Sequence, residues 1–406
     1  MIAAVDLSSL DFWDLPPTER DKQFASLRAA AEPVFCPRGD GPGFYALTRY
    51  DHVVEASRNP RVFSSEPTSV SLDDPPPAVQ AIMGSMINLD DPRHARLRRI
   101  VARAFTPRMI QKAADDVARL ATDIVDALTE RGPCDFVTEV AMPMPVQIIC
   151  SMMGIPESVR PDVIASTNVF IQAIGDPEYV APDGMDRGKV LFEQLTYLQQ
   201  LGADLGEHRR AFPADDMVTA LVTADVDGEA LSDRDLGRFF SLLVIAGNET
   251  TRNALSHAMT LFTEHPDQRA LLLTDLDQRL PAAVEEVVRY ATPVNWMRRN
   301  VTRDIDLLGH RYLAGDRVIL YYVSANRDER VFADPNSFDI TRDPNPHLGF
   351  GAPGPHFCLG AHLARREIIL MLRELFTRLP GIHATAEPVR QRGSFVNGIK
   401  SLPCTF

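Results

Sequence analysis

The stretch Leu348-Gly349-Phe350-Gly351-Ala352-Pro353-Gly354-Pro355-His356-Phe357-Cys358-Leu359-Gly360 decides the reading of this chain, because it carries one cysteine from a glycine-rich loop straight into a helix. Four glycines and two prolines in so short a span make a stiff loop that no hydrophobic core requires. Its N–H groups converge near the start of the following helix, and a helix N-terminus favours the thiolate, the form of cysteine that binds metal. Cys358 reads as a one-thiolate metal seat.

Two other uses of the same loop fail on context. Gly349 to Gly354 also spells G-x-G-x-x-G, with Glu374 twenty residues on, as in a dinucleotide turn. The preceding DPNPHL run is too proline-rich for the buried strand that turn requires, and Glu374 lies inside a helical pattern. A closed zinc site needs four ligands, and the flanking His356 and His362 have no second Cys/His pair nearby. A single cysteine suits iron in a haem plane, where the porphyrin supplies four nitrogens and the protein need give one axial atom.

Outside the loop, the 406 residues are 45% hydrophobic and 24% charged, ordinary for a globular chain. A net charge of −13 argues against a nucleic-acid or anionic-membrane surface. The first twenty residues hold neither a signal-peptide pattern nor a run able to span a bilayer, so a cytoplasmic protein without a membrane anchor is expected. The cysteines at 36, 134, 150, 358 and 404 are odd in number and widely spaced, which disfavours a disulfide framework. Helical periodicity runs through 93–106, 108–129, 187–211, 231–262 and 359–378, while strands are confined to Phe44–Tyr50 and pieces of 305–323 with turns at Gly309-His310 and Gly315-Asp316. The expectation is a mainly α fold with minor β, one domain over 1–406 with an N-terminal segment 1–43.

At these residues the chain resembles the cytochrome P-450 haem-thiolate monooxygenases, whose loop pattern is F-G-x-G-x-H-x-C-x-G. Gly354, His356, Cys358 and Gly360 keep the spacing; Phe350-Gly351 stands one residue further from the cysteine. The resemblance implies haem b (iron protoporphyrin IX) bound between this loop with its helix and an oxygen-activation helix. Cys358 is then the axial iron ligand, with Phe350, His356 and Gly360 around the haem. The second element is Leu242-Leu243-Val244-Ile245-Ala246-Gly247-Asn248-Glu249-Thr250-Thr251, where acid and alcohol directly follow an apolar run. A buried core helix is the plain reading. The run resembles the family's A-G-x-[DE]-T motif, in which the helix opens beside the haem and Glu249 and Thr250 are the acid and alcohol of a proton relay.

Glu286-Val287-Val288-Arg289 resembles the family's E-x-x-R, although the same spacing recurs at Glu55/Arg58, Glu157/Arg160, Glu207/Arg210, Glu249/Arg252 and Glu387/Arg390. Only Glu286 lies between the oxygen motif and the cysteine loop. It and Arg289 are read as a buried structural pair. Asp90-Asp91-Pro92 starts a helix on which His94 and Arg98 share one face and Arg96, Arg99 and Arg103 another. In the family, matching residues hold the haem propionates, a role that extends here to Arg299 and His356. The outward arginines, with Arg365 and Arg366, are either a solvated face or a dock for an acidic ferredoxin.

Several stretches look closest to the actinobacterial branch that hydroxylates terminal methyls of branched lipids, terpenoids and sterol side chains. This implies a lipophilic substrate touching Leu242, Ile245, Ala246, Val294, Phe395 and Val396; the segments 66–89 and 168–190, rich in Pro, Gly and Met, are read as a mobile lid over it. It also implies electrons from a ferredoxin and an NAD(P)H-dependent ferredoxin reductase, since the chain carries no flavin or iron–sulfur motif. A tailoring hydroxylase of secondary metabolites is the alternative. A peroxygenase or a ligand-binding haem protein is disfavoured by Glu249-Thr250.

Overall fold

The computed structural model describes residues 5–39, 41–175, 179–224 and 231–406. Helices form most of the fold and strands a minor part. Arg93–Ala104, Pro107–Arg131, Arg187–Ala211, Asp233–Glu264 and Ala361–Arg378 fall within two residues of the periodic segments. Pro107–Arg131 is capped by the Thr106 hydroxyl on the Met109 amide at 3.2 Å and ends at Gly132.

The central element is the 32-residue helix Asp233–Glu264. Ser232 accepts the Asp235 amide at 3.1 Å, and Asp233 and Asp235 complement the helix dipole in its first turn. Leu236, Phe240, Val244, Leu255, Met259 and Phe262 are buried in the largest core, each contributing about 1.5–3 kcal/mol by burial. The helix packs against Pro143–Met153, Arg187–Ala211, Leu276–Ala291 and Ala361–Arg378. Its crossing with Arg187–Ala211 is close enough to require Gly237, where a Cβ would lie 2.5 Å from the Gln199 carbonyl oxygen.

A five-stranded sheet lies beside the helices in the order Val34–Arg38, Gly41–Leu47, Arg317–Tyr321, Trp296–Val301, Phe63–Ser64. Gly41–Leu47 runs parallel to Arg317–Tyr321, and the other pairings are antiparallel. The strand expected over Phe44–Tyr50 stops at Leu47, and Tyr50 opens the helix Tyr50–Arg58. The Asp328 carboxylate accepts the Tyr50 amide at 2.8 Å and so fixes that helix start from a distant part of the chain. The segment 305–323 splits into the hairpin Ile305–Leu307/His310–Tyr312 and the sheet strand Arg317–Tyr321.

The segment 66–89, expected as a mobile lid, is instead fastened at many points. Asp73 pairs with Arg38 at 2.6 Å, and Asp74 with Arg298 at 2.5 Å and Arg317 at 2.6 Å. Further on, Gln199 donates to the Ile82 carbonyl at 3.0 Å, and Arg234 and Arg238 both donate to that of Ala81. Of the other expected lid, 168–190, residues 176–178 lie outside the described residues.

Candidate active site

The cysteine loop closes on itself before its helix begins. The Cys358 amide donates to the Phe350 carbonyl at 2.9 Å and the Gly351 amide to that of Leu348 at 2.9 Å. The residue that lengthens this loop is accommodated beside Ser57: Ala352 is buried, and its carbonyl lies 3.4 Å from the Ser57 hydroxyl. Gly354 passes so near Ser57 that a Cβ would lie 2.5 Å from its carbonyl oxygen. Phe350 keeps a defined place, its ring 4.2 Å below the Arg365 guanidinium.

Arg365 is therefore no free docking cation. It binds Glu285 through Nε and Nη2 at 2.5 and 2.8 Å, and His347 reaches the same carboxylate at 2.8 Å. Burial raises the Glu285 pKa, but the hydrogen bonds from His347 and Arg365 outweigh it and leave it down at about 2.

Cys358 lies deep in the fold, yet its side chain is accessible. Burial raises its pKa above the ordinary thiol value, against the Gly360 amide and the charges of Arg98 and Arg365, which pull it down. This corrects the expectation that loop amides alone keep a thiolate. Burial outweighs them; a coordinating metal would deprotonate the thiol.

Four of the expected residues gather around the same loop. The His94 and His356 rings stand 4.1 Å apart, and Arg98 donates to the Phe357 carbonyl at 2.6 Å. His356 shares a 3.0 Å hydrogen bond with the Ser65 hydroxyl. Burial lowers the His356 pKa to about 2, helped by Arg299, His94 and Arg98 nearby. Arg299 is 4% exposed and donates to the Arg298 carbonyl at 2.7 Å. Neither Arg98 nor Arg299 forms an ion pair with a carboxylate among the described residues. A buried guanidinium such as that of Arg299 needs an anion, and half-exposed Arg98 stands beside the same loop; Arg is shaped for carboxylates. A deep sulfur beside such a cationic cluster fits haem, with Cys358 on iron and His94, Arg98, Arg299 and His356 on the propionates.

Across from the loop helix, Asp233–Glu264 stays helical through Gly247-Asn248; the expected opening is absent from its hydrogen-bonded run. The Thr250 hydroxyl donates to the Ala246 carbonyl at 2.9 Å. Glu249 is 7% exposed and bound to Arg252, at the i,i+3 spacing noted in the sequence, and to Asn253, which sequence reasoning missed. The Glu249/Arg252 spacing was visible, but only burial distinguishes it from the other E-x-x-R pairs. Thr251 hydrogen-bonds to the fully buried Glu367 of the loop helix, whose pKa burial raises to about 8. The two elements are thus tied directly.

Leu242, Ile245, Ala246 and Thr250 form an accessible stripe on this helix, flanked by the buried Ser241, Val244, Asn248 and Glu249. Three of the four are apolar. Val294 and Val396 form a β-bridge, flanked by Asn295 N to Phe395 O at 2.8 Å and Asn397 N to Pro293 O at 3.0 Å. The expected substrate residues Val294, Phe395 and Val396 therefore meet on one short ladder. Glu286 and Arg289 are both fully buried and joined by two 2.7 Å hydrogen bonds. Arg289 also donates to the carbonyls of Asn326 and Pro335 at 2.8 Å and of Ser337 at 3.0 Å. The pair holds the irregular segment before the cysteine loop.

Comparison with known proteins agrees with this geometry. Residues 203–380 match the family described as Cytochrome P450. The methyl-branched lipid omega-hydroxylase of Mycobacterium tuberculosis is 47% identical over 421 residues, covering 100% of this chain and 95% of its own length. The steroid C26-monooxygenase of Mycolicibacterium smegmatis is 37% identical and covers 93% of this chain and 88% of its own length. A solved Mycobacterium marinum cytochrome P450 in complex with pseudoionone superposes with a TM-score of 0.91 at 41% identity, covering 99% of this chain and 98% of that one.

Proposed function

The chain belongs to the cytochrome P450 family, and from that premise we propose that it hydroxylates the terminal methyl of a methyl-branched lipid. It is a haem b monooxygenase acting on a lipophilic substrate. Bound at Cys358, haem supplies activation of O₂ and insertion of one oxygen atom into an unactivated C–H bond. The chain's own residues do the rest. Cys358 would give the sulfur ligand to the haem iron, with Arg98 and Arg299 offsetting the charge of the propionates and His94 and His356 hydrogen-bonding them. Thr250 holds a proton at Oγ1 and Glu249 replenishes it, so that the reaction's protons arrive in order. Leu242, Ile245 and Ala246 on the helix, together with Val294, Phe395 and Val396 on the ladder, supply the apolar contacts for an extended hydrocarbon.

One observation carries the reading: an accessible, mainly apolar stripe on a largely buried helix leads to Thr250, next to the buried Glu249. Electrons come from a ferredoxin and its NAD(P)H-dependent reductase in the cytoplasm. No helix among the described residues is long and apolar enough to cross a membrane.

Substrate-induced spin-shift titration of the haem-loaded protein tests the substrate class. Methyl-branched fatty acids are expected to bind more tightly than sterols or terpenoids; binding of small polar compounds alone would refute the lipid assignment. Thr250→Ala is expected to lower product formed per NAD(P)H oxidised by about tenfold, with hydrogen peroxide in its place. That is less than the ~10²–10⁴ of a full general acid because water substitutes in part. Unchanged coupling removes Thr250 from the relay.

A further inference from the structure

Glu249 is held in an unusual way for a group that must pass protons. Both of its partners grip one oxygen: Arg252 Nη2 lies 2.6 Å and Asn253 Nδ2 2.9 Å from Oε1. The other oxygen, Oε2, is buried with no hydrogen-bond partner among the described residues. The same is true of Arg252 Nε and of both ends of the Asn248 amide, which is 1% exposed. Buried polar groups in native proteins are nearly always satisfied, by protein or by ordered water. Four unpartnered polar atoms on three residues within about one helical turn therefore call for ordered water at Oε2 and its neighbours.

Asn253 has a second attachment. Fully buried, it accepts the Ile399 amide at 3.2 Å on Oδ1, while its Nδ2 holds Glu249. Ile399 begins the strand Ile399–Ser401, which follows the Phe395–Val396 ladder after Asn397 and Gly398. His257, one turn beyond Asn253, fixes the Asn397 carbonyl at 2.8 Å. The carboxylate and the substrate-facing ladder are thus joined through a rigid amide.

We infer that Arg252 and Asn253 are positioning residues for the proton step: together they clamp Glu249 by Oε1, leave Oε2 to water and the relay, and tie its placement to the substrate ladder. This rests on the reading of Glu249-Thr250 as the relay. Arg252 and Asn253 together fix the rotation of the carboxyl group through Oε1. A freely rotating Glu249 would lose the water at Oε2.

The test uses the haem-loaded enzyme with its electron-transfer partners. Arg252→Ala is expected to leave substrate affinity by spin shift within about twofold, while coupling falls about tenfold, the rate equivalent of one charge-assisted hydrogen bond. The solvent deuterium isotope effect on kcat should rise, and Arg252→Lys should restore much of the coupling. Asn253→Asp, which keeps the shape but repels Glu249, should uncouple similarly. If Asn253→Asp does not fold, the two Arg252 variants decide. Full coupling in Arg252→Ala alongside an uncoupled Thr250→Ala overturns the clamp and spares the relay; full coupling in both removes the relay and the clamp with it. Loss of coupling that follows haem loss and is not rescued by lysine reduces Arg252 to a structural role and also overturns the inference.

Discussion

Cys358→Ser is expected to end oxygenation while leaving the fold in place. The hydroxyl nearly matches the thiol in size, and the loop is held by backbone bonds, such as Cys358 N to Phe350 O, that do not involve the side chain. What disappears is the sulfur ligand. Even a group one step removed from a metal costs about 10–100-fold when lost, so turnover should drop below a hundredth of the parent's. The reduced protein with carbon monoxide should lose its thiolate-type Soret band. Cys134→Ser, on a strand paired with Pro403–Thr405, is the control that should keep it. Retention of the parent spectrum in Cys358→Ser would refute the ligand assignment.

Glu286→Leu is expected to destabilise the protein far more than any surface substitution. The carboxylate takes two hydrogen bonds from Arg289, contacts from Arg342 at 3.2 and 3.3 Å, one from Asn345 at 3.1 Å and the Asp339 amide at 3.0 Å. Its removal strands a fully buried guanidinium. Breaking such a pair from one side costs about 3–5 kcal/mol, a large part of the roughly 5–15 kcal/mol that holds a typical domain together. Denaturant titration should show the loss, together with poor haem retention, because the freed segment leads into the cysteine loop. Lys22→Ala, which removes only an exposed pair with Glu19, should change stability by no more than about 1 kcal/mol. Equal stability of the two variants would show that the pair contributes nothing.

Local chemistry made part of this molecule legible. The cysteine loop, the apolar run ending in Glu249-Thr250 and the long periodic helices are each written in contiguous residues. What escaped depends on distant partners. Tyr50 ends a strand pattern in sequence but starts a helix because Asp328 caps it. Trp296–Val301 was not among the expected strands; its two arginines are both buried, Arg298 on Asp74 and Arg299 toward the cationic cluster. The lid expected over 66–89 was inferred from proline and methionine content, which says nothing of the arginines that fasten it. The thiol's acidity was misjudged because amide dipoles are visible in sequence and depth is not.

The parallel pairing of Gly41–Leu47 with Arg317–Tyr321 reaches into the order of events at the ribosome. A strand made early must wait until Arg317–Tyr321 has been synthesised before its neighbour exists, and the ladder carrying Phe395 and Val396 is made later still. The helices can form as they emerge, since their contacts are local, but long-range strand pairing is slow and leaves edges exposed. All five strands of that sheet are nevertheless made by Tyr321, so the last parts of the haem crevice to leave the ribosome are Cys358, the helix Ala361–Arg378 and the Phe395–Val396 ladder.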